Sequence, residues 1–345
     1  MIRFESDYLE GAHPKIMEQL MATNLEQTPG YSTDTHCEHA KALIRTACKA
    51  PDADIHFLVG GTQTNTIVIS SILRPYQGVI SADTGHINVH ETGAIEARGH
   101  KVLSLKTEDG KLSAAAISAY YESHFNDSDH EHIVQPGMVY ISHPTENGTM
   151  YTKEELTAIS TLCRKLSLPL FLDGARLGYG LMSPESDLTL EDLAKLCDVF
   201  YIGGTKVGAL FGEAVVICNP ALKKDFRYCI KQHGGMLAKG RLLGIQFETL
   251  FTDNLYFEIS KHAIDLAMQL KAAFKEKGIP FYYESPSNQQ FPILTDAQLA
   301  VLKEKYTFSY WTALPDGRHV VRFCTSWATN PQHIVELCDL IHNTL

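Results

Sequence analysis

Absences narrow the reading first. The chain carries eight cysteines but no CxxC pair, so the usual structural-zinc and redox spacings are missing. Cys163, Cys197, Cys218 and Cys338 sit inside apolar patterns, as reduced core thiols of a cytoplasmic protein do. No basic block offsets the formal charge of -10, which argues against a nucleic-acid partner. The amino end, MIRFESDYLEG, is polar and later apolar runs are broken by charge or turn residues, so neither a signal peptide nor a membrane span is expected. Neither GxGxxG nor the GxxxxGK phosphate loop occurs, which speaks against dinucleotide and nucleoside triphosphate sites. Internal repeats and low-complexity segments are also missing.

What is present reads as an α/β enzyme scaffold. With 345 residues, 44% hydrophobic and 20% charged, the composition is that of an ordinary globular protein with length for a large core. Strand patterns near positions 56, 78, 101, 139, 168, 199 and 214, with helices between most of them, predict a seven-stranded, mostly parallel sheet covered on both faces. From about Leu242 the pattern changes to long helices, Leu243 to Phe251 and Tyr256 to Lys277. Short strands, IPFYYE and RHVVRFCTSW, and a closing helix over 331–345 follow. The expected division is a large α/β domain, 21–241, and a smaller α+β domain made of 1–20 and 242–345. Thr152 and Glu155 have the spacing of a capping box and predict a helix start.

Chemistry concentrates between Leu168 and Gly208. Two apolar runs, Leu168 to Leu172 and Val199 to Ile202, have the character of strands buried on both faces. The first ends in Asp173-Gly-Ala-Arg176, the second in Gly203-Gly204-Thr-Lys206. Ligands of open α/β sheets bind where strands end, so Asp173, Arg176 and Lys206 would meet in one crevice. That trio suits pyridoxal 5'-phosphate, with a lysine amine to hold the aldehyde and a carboxylate to keep the pyridine nitrogen protonated. Taken singly, Asp173 with Arg176 also fits an ion pair after a strand, and Lys206 a solvated loop amine. Gly61, Thr62 and Gln63 open a helix after a strand, where free N–H groups and the helix dipole favour a phosphate; Thr62 as a plain N-cap is the alternative.

DGAR on one strand and GGTK on a later one, in this order with GGT and the VVRFCTSW strand, resemble the threonine aldolase and β-eliminating lyase family of fold type I pyridoxal phosphate enzymes. The resemblance runs from Ser6-Asp7 to VVRFCTSW. It implies a lyase splitting a β-hydroxy-α-amino acid, L-threonine or L-allo-threonine, into glycine and an aldehyde, with β-elimination at Cα and Cβ as the alternative. It implies Lys206 and Asp173 as the cofactor's lysine and carboxylate, and His86 stacked on its ring. Arg322, alternating with apolar neighbours on its strand, is implied to grip the substrate carboxylate, together with Ser6 and Arg176, and Tyr31 is placed near the cofactor. From the residues alone, Ser6 is a helix-entry serine, Tyr31 a packed loop tyrosine and Arg322 a structural ion-pair partner. Glu91 either hydrogen-bonds within the site or is a plain helix carboxylate. Lys239 or Arg241 either approaches a phosphate in a neighbouring subunit or is solvated. Aligned on Thr-X-Asn-Gly, the family's loop histidine falls at Glu146, with His143 three residues earlier; a carboxylate serves as base there only if burial raises its pKa. His36, Cys37 and His39 would spread around a helix beginning near Asp34, and no metal is expected. The family also implies a homodimer or homotetramer with sites near the subunit interface.

Overall fold

The computed structural model describes residues 1–344. One sheet contains β1 (Asp54–Leu58), β2 (Gln77–Ala82), β3 (Lys101–Leu105), β4 (Gln135–Ser142), β5 (Leu170–Asp173), β6 (Val199–Gly203) and β7 (Glu213–Ile217). Their order is β1-β7-β6-β5-β4-β2-β3. β7 runs antiparallel to both neighbours, and the other pairs are parallel. All seven expected strands are therefore present, in a fold with helices on both sheet faces. β5, β6 and β7 are buried along their whole length, as continuous apolar runs require of strands covered twice. Successive residues split between two apolar clusters: Leu170, Leu172, Phe200 and Ile202 pack on one side, Phe171, Val199 and Tyr201 on the other, following the two-residue period of a strand.

Local signals set the helix starts. Asp34 accepts the Cys37 N–H at 2.9 Å and caps the helix Thr35–Ala47, and Thr152 with Glu155 forms the expected capping box on the helix Lys153–Leu166. A second, four-stranded sheet is built from β8 (Ile293–Leu294), β9 (Ser309–Ala313), β10 (His319–Cys324) and the two-residue strand Gln289–Gln290, with β10 pairing antiparallel to the other three. A third apolar cluster gathers Phe4 with Leu266, Leu270, Phe274, Val321, Phe323 and Ile334. The helix Leu255–Glu276 joins the two parts, since Leu255 to Ile264 packs with the large sheet and Leu266 to Phe274 with the small one. Among the described residues no helix is long and apolar enough to cross a membrane.

Two local expectations fail. IPFYYE is not a strand: Phe281 makes a single bridge to Pro292, because Pro280 within the segment and Pro292 opposite it lack ladder donors. Glu91, in one reading a plain helix carboxylate, does not lie on a helix. One turn, His86–Val89, is followed by Thr92 and Gly93 at φ of 52° and 69° and a short 3-10 turn at Glu96–Arg98. His90, at φ -127°, ends the first turn before Glu91, and Glu91 faces His86 instead of solvent.

Candidate active site

The carboxyl ends of β2, β4, β5 and β6 converge, and the residues that follow them form the site. Asp173 ends β5 and Lys206 lies three residues past β6. The glycines of the two motifs have a packing reason. A Cβ on Gly174 would lie 2.0 Å from the Tyr201 carbonyl oxygen, and one on Gly203 would lie 2.3 Å from that of Ala175. The Gly203 N–H donates to the Gly174 carbonyl at 2.9 Å. Only bare backbone lets the two strand ends approach this closely, which brings the Asp173 and Lys206 segments together.

Asp173 is buried and accepts four hydrogen bonds. Tyr201 Oη and the Ala175 N–H donate to Oδ1 at 2.5 and 3.0 Å, and Tyr140 Oη and Asn65 Nδ2 donate to Oδ2 at 2.6 and 3.1 Å. Burial pushes its pKa up, but the His86 ring and the tyrosine hydroxyls outweigh burial and bring it below the ordinary carboxylate value. Asp173 is thus held as an anion. The Lys206 amine has no hydrogen bond or ion pair among the described residues and lies 6.0 Å from the Tyr8 ring centroid. Burial lowers its pKa and Arg176 lowers it further, against Asp7, Asp173 and Glu213. Glu213 is buried behind this lysine, accepts the Gly204 N–H at 3.0 Å, and is pushed by burial up to about 7.

His86 opens the one-turn helix after β2. Its Nδ1 is 2.9 Å from Glu91 Oε1, and its backbone N–H donates to Glu146 Oε1 at 2.9 Å. Glu146 Oε1 also accepts Ser142 Oγ at 2.7 Å. Burial raises the Glu146 pKa, which is the condition for a carboxylate to act as base at this position. His143 is fully buried with neither ring nitrogen partnered, and burial takes its pKa down to about 4. Its ring is held neutral in the core, and its backbone N–H donates to the Asp173 carbonyl at 2.9 Å.

The helix Gly61–Ile72 begins without a side-chain cap at Gly60. Thr62 is therefore not the N-cap, and the first-turn N–H groups of Gly61, Thr62 and Gln63 remain available to an anion. Gln63 Oε1 accepts the Val59 N–H at 3.2 Å and steadies this turn. Arg322 has no carboxylate partner. It donates to Gln289 Oε1 and the Glu5 carbonyl, each at 3.2 Å, while its buried Nε has no acceptor and its Cζ stands 5.7 Å from the Trp311 ring centroid. Ser6 Oγ is likewise buried and unpartnered.

Two of the expected site residues have other partners within the chain. Arg176 is not a free guanidinium: its Nε and Nη2 donate to both Asp7 oxygens at 2.7 and 3.0 Å. Tyr31 does not join these residues within one chain. It stands 44% exposed, with the Lys231 amine 5.0 Å over its ring and Arg227 donating to its carbonyl at 3.1 Å. Arg241 is occupied by the Thr23 and Asn24 carbonyls at 2.7 and 3.2 Å. Sequence reasoning missed Asn65, Tyr140 and Tyr201 as Asp173 partners, and Asp7 as the partner of Arg176. The available signal was polarity out of place: tyrosines inside doubly buried strands need an acceptor for the hydroxyl. His36 and His39 bind Glu248 at 2.7 and 2.6 Å. Among the described residues no group of three or more His, Cys, Asp or Glu could hold a metal ion.

A lysine and a carboxylate at neighbouring strand ends of this sheet define a fold type I pyridoxal phosphate enzyme. A likeness to the histidinol-phosphate aminotransferase of Clostridium acetobutylicum, at a TM-score of 0.74 and 15% identity over 99% of this chain and 98% of that one, shows the same fold. Within that class the chain belongs to the β-eliminating lyase family, whose model matches residues 3–297. It is 30% identical over 345 residues to the low specificity L-threonine aldolase of a Pseudomonas species, covering 97% of this chain and 95% of the relative. The solved threonine aldolase of Leishmania major is 48% identical, with a TM-score of 0.96 over 99% of this chain and 98% of that chain.

Proposed function

We propose that this chain is a pyridoxal phosphate-dependent lyase that cleaves L-threonine and L-allo-threonine to glycine and an aldehyde. One observation carries the reading: a chain with full-length threonine aldolase relatives presents two cations without carboxylate partners, Lys206 and Arg322, beside a carboxylate held ionised. The residues fit the cofactor. Asp173 offers a carboxylate to a pyridine nitrogen, the uncapped turn at Gly61, Thr62 and Gln63 receives a phosphate, and Lys206 supplies the amine for the aldehyde. The bound cofactor supplies an electron sink for charge developing at the substrate Cα.

The chain's own groups do the rest. Arg322 grips the substrate carboxylate, with the unpartnered Ser6 hydroxyl beside it. Arg176, oriented by Asp7, has Nη1 left to contribute. Fixing the carboxylate selects which Cα bond lies perpendicular to the cofactor ring. Glu146, its pKa raised by burial, takes the β-hydroxyl proton. Lys206, low in pKa for a lysine, carries a proton at Nζ. His86 packs on the cofactor ring. Glu146 in place of a loop histidine keeps β-elimination as a second reading, in which the proton is removed at Cα.

Four of the exposed apolar side chains, Met21, Leu25, Tyr31 and Tyr228, support a homodimer or homotetramer, and the eight free cysteines support a cytoplasmic location. A second domain within 1–20 and 242–345 is supported by the separate cluster around Phe4 and Phe323, while Ile16, Leu243, Phe247 and Leu250 pack with the large sheet and the helix Leu255–Glu276 bridges the two parts.

The test compares the purified protein with Lys206→Ala after adding pyridoxal phosphate, then supplies L-threonine, L-allo-threonine and L-serine. A visible absorbance band lost in the variant, with aldehyde and glycine released by the parent protein, supports aldol cleavage. Ammonia and a keto acid would favour elimination instead. Absence of any band overturns the cofactor reading.

A further inference from the structure

Glu91 is a buried acid that the scheme above does not use. Its side chain has no solvent exposure, and its Oε1 receives two donors, His86 Nδ1 at 2.9 Å and Asn65 Nδ2 at 2.7 Å. The same Asn65 nitrogen, in a residue with no exposure, also donates to Asp173 Oδ2 at 3.1 Å. One amide nitrogen thus spends both hydrogens on two carboxylates, one beside the stacking histidine and one at the cofactor's nitrogen. Glu91 Oε2 has no partner. A desolvated carboxylate left this way is costly unless a cation neutralises it, and the ring of His86 is the cationic group in contact with it.

We propose that Glu91 is a positioning residue for His86: with Asn65 it locks Nδ1–H inward, holds the ring as an imidazolium, and leaves Nε2 as the nitrogen that meets cofactor and substrate. The end of the helix at Val89, with His90 at φ -127°, is what delivers it, since a continuous helix would carry Glu91 off the His86 face. Other charged groups facing His86 act on the same titration. Burial opposes the charged ring most strongly, Glu146 and Asp173 favour it beside Glu91, and Lys206 and His90 oppose it. Removing Glu91 leaves these in place, so its own share is separable.

The inference rests on the proposed function only in that His86 faces the bound cofactor. The experiment follows the imidazole by nitrogen NMR of 15N-histidine-labelled protein, with and without cofactor, His86→Asn serving for assignment. The parent protein should show Nδ1 protonated and His86 charged above the ordinary histidine range. In Glu91→Gln the midpoint should fall by about one to three pH units, and the His86-dependent limb of the kcat/KM profile should move with it. Asn65→Ala should shift the midpoint in the same direction and serves as the probe if Glu91→Gln does not fold. An unchanged midpoint in the folded variant, or Nε2 protonated alone in the parent, would overturn the proposal. A shifted midpoint in a protein that releases no aldehyde from threonine would sink the aldolase reading and leave this one standing.

Discussion

Asp7→Asn is the perturbation whose outcome the structure specifies most tightly. Asp7 is fully buried and accepts both arms of the Arg176 fork and Asn288 Nδ2 at 2.9 Å. Burial alone would raise its pKa, but Arg176 and Lys206 bring it from 3.8 down to about 2. That fall corresponds to roughly 2–3 kcal/mol of preference for the charged form. Because the folded value is the lower one, this stability is present above pH 3.8 and lost as the pH falls through about 2. Deleting the charge outright costs more, about 3–5 kcal/mol, because the Arg176 guanidinium stays buried with a neutral amide. Urea denaturation at neutral pH, at matched protein and cofactor concentrations, should show that loss. The variant should also lose the acid-limb stability change that the parent shows. A loss under about 1 kcal/mol, or an unchanged acid limb, would refute the claim that this pair anchors the amino-terminal segment to the site.

Other outcomes follow from the same geometry. Arg322→Leu should raise KM for amino-acid substrates about 10- to 100-fold, the worth of a charge-assisted fork, with the visible cofactor band retained; loss of the band instead would show a structural role. Gly203→Ala forces a methyl onto the Ala175 carbonyl at 2.3 Å and should cost at least about 1–3 kcal/mol, with cofactor binding lost alongside; a soluble variant with parental melting temperature would contradict the close-approach argument. His36 bridges Glu26 and Glu248 through both ring nitrogens, at 2.9 and 2.7 Å. Burial opposes its charge, but the two carboxylates win and raise its pKa above 6.5. Its contribution is therefore full below pH 6.5 and fades as the pH rises through the folded value. Glu248→Gln should lower the melting temperature on the acid side and converge with the parent in alkali; a constant difference across pH would refute the bridge.

Legibility differed with the kind of signal. The seven strands were readable because double burial writes an uninterrupted apolar run into each central one, and the capping box at Thr152 because its bonds are local. IPFYYE misled because its aromatic content matches a strand while Pro280 within it and Pro292 opposite it withhold the donors. The reading of Glu91 as a helix carboxylate misled because nothing in the residue types before it announces the end of the helix at Val89.

The residues of the DGAR and GGTK motifs, and hence the chemistry of an amine beside a carboxylate, were determined by the sequence alone, since strand ends and side-chain types are local properties. Which groups meet was decided only by the tertiary structure. Arg176 finds Asp7 169 positions away, and Tyr140, Tyr201 and Asn65 converge on Asp173 from two other strands and a helix. Within its own chain, Tyr31 falls among Arg227 and Lys231. A buried charge must be matched by whatever donors the fold brings near, and that matching depends on distances in space that spacing along the chain does not contain.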